Sequence, residues 1–258
     1  MNHLSKKIVA GVASGGLLVA TVLAVPASTY AIADSTVKET PFCTNISSSA
    51  TKITDGITAA KTKMNTARTD RANQFTNNRA KWDQEIQASR DKADQQRQEN
   101  FAKLEAKATT DDQKTAVKTY ETTISNAITT RRQANDAART TFRSGVDAAI
   151  ASQKATIDAQ TTILSSAVST AITTAEAACI TTPGNGAAIR STLQTSLKTA
   201  KDTFSTARKA DGGLGDQIKK LAETRNAAIK TNDTTFEATA KTARETLKAA
   251  FKDQASTI

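Results

Sequence analysis

Histidine is nearly missing from this chain. The 258 residues hold one, His3. That removes the usual general base and the usual zinc ligand. Cysteine stops at two, Cys43 and Cys179. Two distant thiols without histidine do not make a closed metal ligand set. Proline occurs only at Pro26, Pro41 and Pro183, so long stretches lack the strongest helix breaker. Aromatic residues make up 4% of the chain, and much of the 38% hydrophobic content is alanine. That composition suits a long, thin bundle better than a globule built on large apolar side chains. The aromatics fall mostly on an apolar seam, which leaves no stacking platform for bases. No zinc-finger or other nucleic-acid motif occurs, so the sequence points away from specific nucleic-acid binding.

What is present begins with an export signal. Lys6 and Lys7 form a basic start, Ile8 to Val25 is an uncharged run of 18 residues, and Pro26 ends it. Ala31-Ile32-Ala33 then supplies a small-x-small cleavage site, so processing is expected between Ala33 and Asp34. The competing reading is an uncleaved membrane anchor, since 18 residues is near the lower limit for a spanning helix. Gly11, Gly15 and Gly16 argue against it. Either route exports the rest of the chain, to an extracellular, cell-surface or periplasmic location. An exported chain with one available cysteine pair is expected to close a Cys43–Cys179 disulfide.

The full chain carries a net charge of +10. Residues 1–33 hold two lysines and no acid, so processing leaves +8. Positive charge concentrates in residues 45–108 and 187–258. Its functional reading is attraction to anionic polymers, such as teichoic acids, lipid head groups, extracellular DNA or a host surface. The plainer reading is a solvated exterior laced with short-range pairs such as Lys52 with Asp55.

Apolar residues at 46, 50, 53, 57, 60, 64 and 67 alternate steps of four and three, a coiled-coil seam. The step of 11 from Met64 to Phe75 reads as a stutter. The seam resumes through Trp82, Ile86, Ser89 and Ala93, and the polar stretch 94–100 reads as loosely packed. Asp112 is expected to cap a second helix whose seam runs from Val117 to Cys179. Cys43 and Cys179 are symmetric about residue 111, so a turn there brings the sulfurs together. Pro183-Gly-Asn-Gly186 ends the second helix. A third segment is interrupted at Asp211-Gly-Gly-Leu-Gly-Asp216.

The expected fold is all-α: an elongated antiparallel three-helix coiled-coil rod, with the third helix broken or kinked at 211–216. Residues 1–33 are the signal peptide, 34–44 a short extended lead and 45–258 the rod. Its helices cover about 46–107, 112–179, 187–210 and 217–258. The three segments each span on the order of 100 Å. The alternative is a fold-back at 211–216. The oligomeric state is open, because another chain can complete a thin alanine seam.

No catalytic constellation is found. Asp83 and Glu85 fall on different helix faces, and serine has no identifiable base. The 211–216 loop lacks the alternating acids and final glutamate of a calcium loop. The 183–186 turn lacks the strand and Gly-Lys-Ser/Thr of a phosphate loop. No cofactor or metal site is expected. Arg131-Arg132 and Lys219-Lys220 read as exposed doublets, and Trp82 as a core anchor.

The signal peptide, Phe42-Cys43, Ala102-Lys-Leu-Glu-Ala-Lys107 and Gly145-Val-Asp-Ala-Ala-Ile150 together resemble uncharacterised secreted helical proteins of small-genome bacteria. That resemblance implies a secreted long-helix protein and no particular activity. A looser similarity is to periplasmic holdase chaperones with helical arms, whose β-stranded trimerisation body this chain lacks. The sequence is thus read as a non-enzymatic structural or adhesive rod that binds an anionic envelope polymer or a protein partner. A chaperone-like or scaffold protein is the alternative, and membrane attachment is expected only if Ile8–Val25 stays uncleaved.

Overall fold

The computed structural model describes residues 40–210 and 213–252. The signal sequence, the Ala33/Asp34 site, the lead as far as residue 39, residues 211–212 of the 211–216 interruption and residues 253–258 lie outside that description. The described residues are almost entirely helical, with no strand among them. One turn, α1 (Pro41–Thr44), precedes the long helices α2 (Ile46–Lys107) and α3 (Asp111–Thr181). A 3-10 turn at Pro183–Asn185 leads into α4 (Gly186–Ala210), and α5 (Leu214–Lys252) follows. The expected extended lead is therefore helical from Pro41. Proline at the first helical position loses no intrahelical bond, and the Asn45 side-chain amide ends the turn by donating to the Pro41 carbonyl at 2.8 Å.

The second long helix starts with a reciprocal cap. The Gln113 amide nitrogen donates to Thr110 Oγ1 at 3.3 Å. The Gln113 side-chain oxygen accepts from the backbone nitrogens of Thr109 and Thr110 at 2.9 and 3.4 Å. This is a capping box, so Thr110 replaces Asp112 as the cap. Asp111 and Asp112 fall in the first turn, where carboxylates oppose the positive end of the helix dipole. At the other end, Thr182 leaves helical geometry ahead of Pro183, as a residue before proline tends to do. Threonines inside the helices satisfy their hydroxyls locally. Thr119, Thr129 and Thr239 each donate to the carbonyl four residues back, at 2.9–3.0 Å.

The inward rows repeat mostly every 11 residues. On α2, Ile46, Ile57, Arg68, Arg79, Arg90 and Phe101 form one buried or half-buried row, and Ile53, Met64, Phe75, Ile86 and Arg97 another. On α3 the row is Ile124, Asn135, Val146, Ile157, Val168 and Cys179. An 11-residue period is about 3.67 residues per turn, closer to an α-helix than a heptad's 3.5. The step of 11 is thus the repeat itself and not a stutter. Ser89 and Ala93 are exposed, and Arg90 and Asp94 take the inward places assigned to them.

The chain forms two compact units. The first comprises, among described residues, 40–71 and 148–217. Its core is apolar: Ile46, Leu164, Val168, Ile172, Ile189 and Leu193 are buried together, with Ile53 and Ile57 packed against them. Cys43 and Cys179 form the disulfide across this core, with Cα atoms 5.3 Å apart and 136 residues between them in sequence. Thr40 is pinned beside it, its amide and hydroxyl both donating to the Pro183 carbonyl at 3.4 and 3.3 Å. Gly186 permits this approach, because a Cβ there would stand 1.7 Å from Thr40 Oγ1.

The second unit comprises, among described residues, 72–147 and 218–252. Its apolar clusters are small: Ile124, Ile128, Ala240 and Ala243 in one, Ala108, Val117 and Leu247 in the other. Phe101 and Tyr120 meet edge to face, with centroids 6.0 Å apart. Gly145 lets α5 come close, since a Cβ at this position would lie 2.8 Å from a Leu221 methyl. The glycine that weakens α3 as a helix is thus a packing position.

Candidate functional site: an arginine interior, a lysine exterior and an uncharged groove

Arginine and lysine occupy different places. Every described lysine is exposed, whereas among the described arginines only Arg244 is. The inward arginines meet aspartates across the α2–α3 interface. In the second unit Arg79 pairs with Asp147, Arg143 with Asp83, Arg90 with Asp136 and Arg132 with Asp94, all at 2.6–2.7 Å. In the first unit Arg68 pairs with Asp158 at 2.6 Å. The two residue numbers add to 226 in each of these pairs. A constant sum is the signature of one antiparallel register. Arg68, Arg79 and Arg90 are spaced by 11, as are Asp158, Asp147 and Asp136. The 11-residue repeat thus carries charge as well as apolar contact. Guanidinium matches carboxylate with two parallel bonds, a task lysine performs poorly.

The aspartates feel these partners. The Arg132 hydrogen bond, with help from Arg97, pulls the Asp94 carboxyl down to about 2 despite its partial burial. Hydrogen bonds from Arg143, Arg90 and Arg79 lower Asp83, Asp136 and Asp147 respectively. Lys154 and then Arg68 lower Asp158. The stretch 94–100, expected to be loosely solvated, therefore contains an ion-pair cluster of Asp94, Arg97 and Arg132. Arg131 and Arg132 are not an exposed doublet. Their side chains are 22% and 24% exposed, paired with Asp233 and Asp94.

Two groups break this pattern. Glu121 is pushed up by desolvation and by Glu105, again at a register sum of 226. Arg225 is 4% exposed. Its guanidinium lies 4.4 Å over the Phe142 ring and donates to Asn226 at 3.1 and 2.8 Å. Its remaining terminal nitrogen has no partner and no solvent.

The lysines form the outer charge. Lys81, Lys92 and Lys103 repeat every 11 residues on α2, and Lys219, Lys220 and Lys230 stand out from α5. Lys52 and Asp55 both face solvent, as do Asp83 and Glu85, while Trp82 is half-buried.

In the first unit, α3 and α4 enclose a groove of about 660 Å³. It is lined by residues from Gln160 to Ala178 on α3, by Thr182 and Asn185 of the connection, and from Ala188 to Phe204 on α4, and none of its lining side chains is charged. By length and composition α3 also contains a stretch apolar enough to cross a membrane. Among the described residues, no group of three or more His, Cys, Asp or Glu is placed to hold a metal ion.

The sequence reading found the cysteine pair and missed the arginine ladder. Its signal was present: Arg or Lys followed four residues later by Asp recurs at 132, 143 and 154. No family model, curated protein or solved structure matches the chain.

Proposed function

We propose that this chain is an exported, non-enzymatic helical rod of the bacterial envelope that attaches to anionic polymers through its lysines. The observation that carries the reading is the division of labour between the two cations. Arginine is consumed inside by aspartate, so lysine makes up most of the positive charge left facing solvent. Lysine is a mobile, strongly hydrated point charge. It suits long-range, shape-tolerant attraction to a polyanion better than recognition of one defined ligand.

The rod is part of the proposal. Its support is that the α3–α5 pairs of the second unit, Arg131 with Asp233, Asn135 with Asn232, Phe142 with Arg225 and Gly145 with Leu221, have residue numbers that add to 364–367. A near-constant sum is one antiparallel register, so within the second unit α5 runs against α3 as α2 does.

The test is binding of the purified full chain to teichoic acid over a range of salt. Affinity is expected to fall steeply as salt rises. A variant combining Lys219→Glu, Lys220→Glu and Lys230→Glu is expected to bind roughly tenfold or more weakly, with its melting temperature unchanged because all three are exposed. Absence of binding, or binding indifferent to both changes, rejects the reading.

A further inference from the structure

The α3–α4 pair of the first unit has two concave sides. One is filled by α2, whose Ile46, Ala50, Ile53 and Ile57 pack against the Leu164–Val168–Ile172 core. The other is the groove, which no described helix fills. Val168 and Ile172 turn toward Ile57, whereas Ile163, Thr170 and Thr174 turn into the groove. Ile163 on its lip is 53% exposed. The geometry repeats that of the filled side, in which a helix lies along the seam between two others.

Charge selects the occupant. In a chain of which 23% of residues are charged, the groove lining holds no charge. A polyanion finds no cation there. A second copy carries the same net +10 and is repelled wherever lysines face each other. An uncharged strip lets two copies meet without that cost. Its size is adequate: at ~1.5 Å per residue the strip is roughly 30 Å long and two helix widths across. That is on the order of 600 Å² a side, close to the ~800 Å² of a standard interface. Small side chains at Ala167, Ala178 and Ala188 allow close approach.

We propose that this groove seats a second copy of the chain. The α3 ridge Ile163–Ala167–Thr170–Thr174, spaced 4, 3, 4, lies in the groove of its partner and the reverse. The contact is isologous and closes at two copies. A dimer also doubles the lysine surface offered to a polymer, although the pairing itself does not depend on polymer binding.

Sedimentation equilibrium of the purified full chain at fixed salt tests this. The mass of two chains is expected. Thr170→Lys is expected to weaken dimerisation roughly tenfold or more by setting like charges together. Its helicity should be unchanged, since Thr170 is solvent-facing. Mixing Thr170→Lys with Thr170→Glu should restore a dimer, whereas Lys219→Glu in the second unit should leave dimerisation intact. A monomeric parent chain, or self-association indifferent to Thr170→Lys, overturns the proposal.

Discussion

Asp94 and Arg132 are held by two parallel hydrogen bonds, of 2.6 and 2.8 Å, across 38 residues of chain. Arg97 adds a third donor at 2.7 Å from the same helix as Asp94. The α2–α3 interface of the second unit therefore carries matched charge alongside its small apolar clusters.

Acid should loosen this interface. A carboxyl held below its unfolded pKa of ~3.9 stabilises the fold above that value, and the contribution is lost as pH falls through the folded pKa. For Asp94 the window runs from about 4 down to about 2. Asp83, Asp136 and Asp147 act in the same direction. Glu121 acts oppositely, because its raised pKa makes its charge a burden that protonation relieves. Thermal melts from pH 5 to pH 2 should show a falling midpoint. Asp94→Asn should cost roughly 1–3 kcal/mol at neutral pH, as hydrogen bonds to charged groups do, and should flatten that fall.

Arg225 should be a net burden. It is buried with no carboxylate partner, and desolvation together with Arg139 lowers its pKa. Replacing a buried ion with an apolar side chain of similar volume is often stabilising by about 1–4 kcal/mol. Arg225→Met is expected to raise the melting temperature by a few degrees, the scale of ~1 kcal/mol in a chain this size. A lower melting temperature would show that packing on Phe142 outweighs the cost of the buried charge.

The disulfide should matter chiefly to the first unit. Closing a loop of 136 residues is worth on the order of 4–5 kcal/mol in the chain-entropy treatment. Cys43→Ser should lower the melting temperature by roughly ten degrees under non-reducing conditions. Amide exchange should rise first near Pro41–Thr44 and Ala178–Pro183, where Thr40 and Cys43 hold the chain.

Gly145 and Leu221 should be coupled. Gly→Ala inside a helix gains ~1 kcal/mol in propensity. Here the new methyl would press on Leu221 at 2.8 Å. Gly145→Ala should therefore gain little or nothing alone and about 1 kcal/mol in a Leu221→Ala background. A double-mutant cycle with coupling below ~0.5 kcal/mol would contradict the contact.

The legibility of this chain divides by residue type. Apolar spacing at helical steps, with proline confined to three positions, marked the chain as all-α. The cysteine pair was readable because two sulfurs leave one partner choice. The inward turn of Arg90, Asp94 and Arg132 was hidden from a hydrophobic pattern. A polar side chain on a long helix faces solvent or a partner according to what stands on the other helix. The Thr110–Gln113 cap was within reach of sequence, but neighbouring Asp112 looked equally able to cap.

By itself the sequence determined that the fold is all-α and which two cysteines meet. Only the tertiary structure decided that arginine goes inside and lysine outside, and that uncharged side chains alone line the α3–α4 groove of the first unit. The physical reason is that a charge acquires its energetic sign from its neighbours. Asp136 is a solvated acid in a lone helix, and a half-buried anchor only where Arg90 arrives from the facing helix.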